Sequence, residues 1–282
     1  VQDAFRLLQR GANLGKVVVR VGDAVCESFR ELPRDEMSVC MEELPAESLE
    51  TALLAIGALD RRGRERGHEP GTLIRLGIDG DTGVAALELH DPQRFNTMGW
   101  ALGDDMRRAV DNLRRRHAVH ALTLQGAGSV FCAGGNPYGS RGPTSLAASA
   151  RLLLDSVQGF VGLRDLRAPV VCAVHGAMIG GAAAIFLHAD VRVAESEATF
   201  QHGNLSRGVC PVAGYSRTLQ ATIGAPHASA FYLTDQRLTA TRALALGLVH
   251  AVSMGVEAAK ASARDLACRL ALNHQQASGA VL

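Results

Sequence analysis

The chain has 282 residues, and its 29 Lys and Arg residues nearly balance its 28 Asp and Glu residues. A net charge of +1 argues against nucleic acid or an anionic membrane as a partner, because affinity for polyanions comes mostly from a cationic excess. A hydrophobic fraction of 47% allows a sizeable core, and an aromatic fraction of only 4% with 30 glycines favours an α/β protein packed from small aliphatic side chains.

The six cysteines contain no C-x-x-C pair, and a chain of this length does not need disulfide stapling. No apolar run reaches the roughly 20 residues of a membrane-spanning helix, and no charged segment followed by an apolar core opens the chain. We therefore expect a cytoplasmic protein with no membrane partner.

The first 21 residues have the pattern of a helix end followed by a strand. Residues 3–13 are typical of a helix that closes in a turn, and residues 15–21 alternate and β-branch like a strand. This opening resembles the closing helix and strand of enoyl-reductase domains in modular polyketide synthases. The resemblance implies that residues 1–21 are the tail of a preceding domain.

Residues 22–71 have the composition of an interdomain linker with one amphipathic helix. Acidic residues come first, a helical pattern follows over residues 47–59, and residues 61–66 form a basic run. The basic run is either a docking patch for an acidic carrier protein or a solvated helix end.

From residue 72 onwards the sequence has clear strand and helix patterns. Residues 73–78 and 84–89 have strand patterns and are joined by an Asp-Gly-Asp turn, which predicts a hairpin. A helix is predicted over residues 99–115, with Leu102, Met106, Val110 and Leu113 on one face.

Three further short apolar runs predict strands at residues 120–126, 170–174 and 190–194, and a late helix is predicted around residues 266–272. Strands that alternate with helical segments indicate crossover connections and a sheet covered on most of its surface.

Two glycine clusters follow predicted strands, at residues 130–137 and 175–184. Neither has the spacing of a phosphate-binding loop. Glycine offers an accessible backbone N–H, and the start of a helix adds partial positive charge. Two such N–H groups converging on one point would form an oxyanion hole, which stabilises an enolate or tetrahedral oxygen. On spacing alone, the alternative is that these glycines serve only packing or turns.

Several motifs in order resemble the crotonase (enoyl-CoA hydratase/isomerase) superfamily, and together they cover roughly residues 72–270. They are Phe131-Cys132-Ala133-Gly134-Gly135, the segment at 169–176, Gly180-Gly181, the segments at 189–194 and 198–200, Gly214, and the stretches at 219–224 and 238–249. Their order and spacing are more specific than any one motif.

This resemblance implies an α/β fold in which ββα units form a spiral with two nearly perpendicular sheets surrounded by helices. It also implies acyl-thioester substrates carried on CoA or the phosphopantetheine of an acyl carrier protein, no other cofactor, no metal, and a homotrimer or a place in a multidomain synthase. It places the oxyanion donors on the N–H groups of Gly135 and Gly181, and substrate contacts at Ala133, Asn136 and Asn204.

The chain departs from the family at the two glutamates that hold and activate water in hydratases. The first position is Ala184 and the second is Asn204. Neither side chain is a general base at neutral pH, so hydration by a glutamate pair is in doubt. The nearest titratable replacement is His202, and Tyr138 is placed to donate a hydrogen bond to a substrate carbonyl or carboxylate. The alternatives are a structural histidine and a packed or surface tyrosine.

The sequence gives weaker indications of a functional role for other residues near the motifs. Ser206 and Arg207 are candidates for binding a carboxylate or for surface and capping roles, and His175 is expected to be structural. Cys132 and Cys210 have no evident neighbouring base, which argues against a thiolate nucleophile.

The resulting hypothesis is a lyase or isomerase that stabilises a thioester enolate with Gly135 and Gly181, while His202 and Tyr138 handle a proton. A stabilised enolate is compatible with three reactions in polyketide biosynthesis, which are hydration or dehydration, a double-bond shift and decarboxylation. Polyketide decarboxylases of this superfamily tend to use a lysine near the first glycine cluster, and none stands between residues 131 and 168. The alternatives are an enoyl-thioester isomerase or hydratase of lipid metabolism and a catalytically silent scaffold.

Relatives usually continue for some tens of residues beyond the last predicted helix, with helices that cover the site. We therefore expect residues 72–282 to form a crotonase-like domain that is either trimmed at its C-terminus or lacks that cover.

Overall fold

The computed structural model describes residues 71–116, 118–135 and 157–279. The predicted enoyl-reductase-like tail and linker helix lie outside these residues. Strands in the described ranges are β1 (Ile74–Ile78), β2 (Val84–Leu89), β3 (Ala121–Gly126), β4 (Val170–Val174), β5 (Ala177–Ile179), β6 (Val191–Glu195), β7 (Thr199–Gln201), β8 (Arg237–Thr239) and β9 (Ala251–Ser253). The α-helices with both ends described are α1 (Trp100–Arg114), α2 (Gly181–Phe186), α3 (Tyr215–Ile223), α4 (Ala225–Thr234), α5 (Ala240–Ala245) and α6 (Val256–Gly279). Short 3₁₀ helices span Pro92–Arg94 and Gly162–Asp165.

The larger sheet has the strand order β1-β2-β3-β4-β6-β9. The predicted hairpin is confirmed, because β1 and β2 pair antiparallel with Ile78 opposite Ala85. All other neighbours in this sheet pair in parallel, as crossover connections require. A smaller sheet has the order β5-β7-β8, with β5 and β7 parallel and β7 and β8 antiparallel. The mixed α/β architecture with two sheets and surrounding helices is therefore as predicted.

The two faces of the larger sheet are covered by helices of different character. Helix α1 buries Leu102, Met106, Val110 and Leu113, which is the face that the periodicity predicted. On the other face, α6 lies against the sheet with a stripe of alanines spaced four residues apart, and these form a cluster with sheet residues such as Val171. Small side chains at this spacing let the helix approach the sheet closely. The stripe comprises Ala259, Ala263, Ala267 and Ala271. The late helix is 24 residues long and far exceeds the predicted segment.

The segment that resembles the family's Ala-Asp-Val-Arg motif has a structural role. The Asp190 carboxylate accepts a hydrogen bond from the Val170 N–H at 2.8 Å, at the start of β4. The buried Arg192 guanidinium donates to the carbonyls of Leu248 and Ala189, both at 2.8 Å. The Asp190 bond holds the start of β4, whose C-terminal end leads into the second glycine cluster, and the Arg192 bonds hold the neighbouring strand β6.

Candidate functional site

The first glycine cluster is anchored by Asn96, a buried residue with φ of 51°. Its side-chain amide nitrogen donates to the carbonyls of Ala127 at 2.8 Å and of Val130 and Phe131 at 3.0 Å. Its Oδ1 accepts a hydrogen bond from the Asp91 N–H at 2.8 Å. One side chain therefore ties the end of the hairpin to the loop that carries the first cluster. Sequence analysis missed this residue, because three of its four partners lie more than 30 residues away.

The two glycine clusters are in direct contact. A Cβ at Gly134, where φ is 90°, would collide with the Ile179 carbonyl oxygen. The Gly134 carbonyl accepts a hydrogen bond from the Met98 N–H at 2.8 Å, and the sulfur of Met98 lies where a Cβ on Gly181 would be. A side chain at Gly134 would therefore force the two clusters apart, whereas one at Gly181 would displace the Met98 side chain.

The structure brings together the two predicted oxyanion donors. The position that a Cβ on Gly181 would occupy lies 3.5 Å from the Gly135 nitrogen. Neither N–H donates a hydrogen bond to any acceptor in the described ranges. Gly181 is the first residue of α2, where main-chain N–H groups have no intrahelical partner. Two free N–H donors side by side are the arrangement that an oxyanion hole needs.

The positions that hold glutamates in hydratases are both buried and carry no charge. Ala184 lies in α2 and packs within the main hydrophobic core. Asn204 is buried just after β7, and its Oδ1 lies 3.5 Å from the position of a Cβ on Gly180. That oxygen has no hydrogen-bond donor in the described part of the chain. An amide oxygen beside the oxyanion donors can therefore accept a hydrogen bond from a bound group.

His202 is buried in an aromatic cage rather than exposed in a loop. Its ring stacks on Tyr215 with centroids 4.6 Å apart, and it meets Tyr232 edge-on at 4.8 Å and Phe231 at 5.8 Å. Burial lowers the pKa of His202 to about 4, and the nearby Asp235 carboxylate offsets only part of this effect. The imidazole is therefore neutral at physiological pH. It can accept a proton only at the cost of a buried positive charge.

Two side chains that the sequence did not single out complete this environment. Tyr215 begins α3 and is buried. Its burial, and to a smaller extent the negative charge of Asp235, raises the pKa of its hydroxyl above the usual value. Asp235 follows α4 with φ of 48°, a conformation that Asp tolerates better than most residues. Its Oδ1 accepts a hydrogen bond from the Gly203 N–H at 2.5 Å. No local pattern marks either residue, because the contacts join segments distant in sequence.

The other predicted site residues fall into three groups. Tyr138 and Asn136 lie outside the described residues. Ala133 is half-buried and donates its N–H to the Phe95 carbonyl at 3.0 Å. Ser206 and Arg207 are exposed, and the Arg207 guanidinium donates to the Gly203 carbonyl at 2.9 Å.

The remaining candidates are a histidine and two cysteines. His175 is buried and its Nε2 donates to the Gly128 carbonyl at 3.0 Å, as expected of a structural histidine. Cys132 is fully buried, and burial raises the pKa of its thiol to about 12. That thiol therefore stays protonated, whereas Cys210 is exposed. Within the described ranges, no helix is both long and apolar enough to cross a membrane.

Comparisons with known proteins identify the family of the chain. A family model described as enoyl-CoA hydratase/isomerase matches residues 79–281. The chain is similar to a probable enoyl-CoA hydratase, echA12, of Mycobacterium leprae, with 30% identity over 173 residues and 59% of each chain covered. It therefore spans about three fifths of the length of that relative. It is also similar to a probable enoyl-CoA hydratase, EchA14, of Mycobacterium tuberculosis, with 29% identity over 215 residues, 70% of this chain and 84% of the relative.

The fold is shared with solved structures of the same group. An enoyl-CoA hydratase of Mycobacterium smegmatis superposes with a TM-score of 0.65 and 25% identity, over 71% of this chain and 76% of that one. One explanation accounts for the two β-sheets, the adjoining glycine clusters and the family match over most of the chain. The chain belongs to the enoyl-CoA hydratase/isomerase family of the crotonase superfamily.

Proposed function

We propose that this chain is an enzyme that acts on an acyl thioester by stabilising its enolate between the N–H groups of Gly135 and Gly181. The observation that carries the proposal is the close approach of these two N–H donors, neither of which has an acceptor among the described residues. The Gly135 nitrogen lies 3.5 Å from the Cβ position of Gly181. Removal of a C2 proton places negative charge on the thioester oxygen, and fixed donors stabilise that charge more than they stabilise the neutral carbonyl.

Proton transfer at this site differs from that of a glutamate pair. Ala184 carries no proton-transferring group, and Asn204 can orient a polar group without taking its proton. We assign proton handling to His202 and Tyr138. With a pKa of about 4, His202 is a weak base, and the Asp235 charge beside it favours the transient imidazolium.

The reaction belongs to the enolate chemistry of hydration or dehydration at C3, a double-bond shift or decarboxylation. Relatives named as enoyl-CoA hydratases support the first of these on a CoA thioester. The resemblance of residues 1–21 to an enoyl-reductase tail supports a polyketide synthase and a carrier-protein thioester. In that setting the chain would work as a homotrimer or as one domain of a larger assembly.

The test is intact-mass measurement of a panel of thioesters after incubation with the full chain. The panel contains 3-hydroxy-3-methylglutaryl and 3-methylglutaconyl groups and simple 3-hydroxyacyl and enoyl groups, each on CoA and on a carrier protein. Loss of water, gain of water or loss of carbon dioxide supports the proposal and identifies the reaction. Unchanged masses, together with no double-bond shift by NMR, would contradict it and favour a silent scaffold.

A further inference from the structure

The backbone of Met98 is bonded to the first glycine cluster at the position of its proposed donor. The Met98 N–H donates a hydrogen bond to the Gly134 carbonyl at 2.8 Å. Met98 also forms an isolated parallel β-bridge with Gly135, the residue that carries the first donor. The main chain at Met98 and the main chain at Gly135 are therefore held side by side.

The side chain of Met98 reaches the second glycine cluster. Its sulfur lies where a Cβ on Gly181 would be, and its terminal methyl carbon is 3.5 Å from the same point. The Gly135 nitrogen is also 3.5 Å from that point. One residue therefore touches the carriers of both donors, the first through its backbone and the second through its side chain.

The chemistry of a methionine side chain suits this position. Met98 is 8% exposed and belongs to the main hydrophobic core. Its thioether is flexible enough to fill an irregular gap, and the sulfur is only a weak hydrogen-bond acceptor. The side chain therefore fills the space over Gly181 and leaves the N–H groups of Gly135 and Gly181 available, since neither donates to an acceptor among the described residues.

The backbone that leads into Met98 is fixed independently of its side chain. Phe95 and Asn96 have φ of 55° and 51°, a left-handed conformation that is uncommon for residues other than glycine. Such strain persists only where the surroundings determine it, and here the buried Asn96 side chain makes four hydrogen bonds. Shortening the Met98 side chain should therefore empty the space over Gly181 without changing the path of the main chain.

We propose that Met98 is a positioning residue of the oxyanion hole, whose side chain holds Gly181 at its distance from Gly135. This inference rests on the proposed function and adds a residue that acts through the two donors rather than on a reacting atom. The stabilising effect of a donor depends on its distance from the oxygen that becomes charged. A displacement of about 1 Å can lower a rate by about 10²-fold.

The test variants remove or restore the contact with Gly181. Met98→Ala removes the sulfur, and Met98→Leu puts apolar atoms of similar total volume back into the same space. The matched control is Met106→Ala, which removes the same atoms from a fully buried methionine of α1 in the same hydrophobic core. Met98→Val and Met106→Val form a milder pair that replaces the alanine pair if either alanine variant does not fold.

The assay is deuteration of butyryl pantetheine in heavy water, measured by mass spectrometry with the full chain. In this reaction the C2–H bond breaks, the proton passes to solvent and a C2–D bond forms, so the rate reports enolate formation. Both kcat and KM are determined for each variant, together with its thermal unfolding midpoint. A purely structural loss lowers the midpoint, whereas a displaced donor lowers kcat in molecules that are folded.

We expect kcat of Met98→Ala to fall by about 10- to 100-fold with little change in KM, because the displaced donor acts mainly on the enolate oxygen. Met98→Leu should recover most of the wild-type kcat. Met106→Ala should lose at least as much thermal stability as Met98→Ala and keep its kcat.

Two results would overturn the inference and leave the proposed function intact. One is equal kcat in the folded Met98 and Met106 truncation variants. The other is a loss in Met98→Leu as large as that in Met98→Ala. Wild-type protein that does not deuterate butyryl pantetheine would overturn the proposed function itself.

Discussion

Replacing Gly135 with proline removes one of the two proposed oxyanion donors, and the described residues leave room for an added side chain there. A Cβ at Gly135 meets no described heavy atom within 4 Å, and its φ lies outside the left-handed region. Its N–H makes no hydrogen bond to the described residues that the fold would lose. Gly181 is a poorer choice, because any Cβ there collides with the sulfur of Met98.

Gly135→Ala is the matched control, because it adds a Cβ and keeps the N–H. Loss of one oxyanion donor typically costs about 2.7–4 kcal/mol of barrier, or about a 10²- to 10³-fold fall in kcat. We expect this fall in Gly135→Pro. The alanine variant should turn over at nearly the wild-type rate, because the space beside Gly135 accepts a methyl group.

The assay is the initial rate of butyryl pantetheine deuteration, measured alongside the thermal unfolding midpoint of each variant. A folded proline variant that deuterates the thioester as fast as the alanine variant would refute the role of the Gly135 N–H. An equal loss in both variants would show that steric change, rather than the donor, controls the rate.

Three further predictions concern stability and are read by urea unfolding. Asn96→Ala leaves three carbonyls and the Asp91 N–H without their partner, so the free energy of unfolding should fall by about 3 kcal/mol; a loss near zero would show that water replaces the amide. Ala263→Leu overpacks the contact between α6 and the sheet and should cost about 1–3 kcal/mol, whereas Ala261→Leu on the exposed side of the same helix should be nearly neutral. Burial lowers the pKa of His188 from 6.5 to about 4, so its neutral form is favoured in the folded state. Its contribution to stability is fully present above pH 6.5 and falls by about 3 kcal/mol as the pH drops to 4, because the unfolded chain then takes up the proton. In His188→Gln the free energy of unfolding should therefore fall less steeply between pH 6.5 and 4. An unchanged dependence on pH would contradict a lowered pKa at His188.

The elements with strong periodicity were predictable from sequence. The apolar face of α1 and the strands β1 to β4 and β6 each have a pattern of five residues or more, and burial imposes that pattern directly. The three-residue strands β5, β7, β8 and β9 were not predicted as strands. Such short strands are specified by their neighbours in the sheet, and a window of three residues has no usable period.

The candidate site was predictable only where a family motif carried it. Gly135 and Gly181 follow strands in recognisable motifs, and the Cβ position of Gly181 lies 3.5 Å from the Gly135 nitrogen. The cage around His202 and the nearby Asp235 arise from packing of α3 and α4 against the end of β7, which no local pattern encodes. An exposed loop histidine and a buried caged histidine have the same sequence signal, but only the buried one has a pKa lowered to about 4.

The most direct measurement of the central claim is the infrared spectrum of a carbon-13-labelled thioester carbonyl bound to the protein. Two N–H donors on the thioester oxygen weaken the C=O bond, so the bound carbonyl band should shift to lower frequency than in water. The shift should shrink in Gly135→Pro and persist in Gly135→Ala. A bound carbonyl at its solution frequency, or an equal shift in the proline and alanine variants, would contradict an oxyanion hole formed by Gly135 and Gly181.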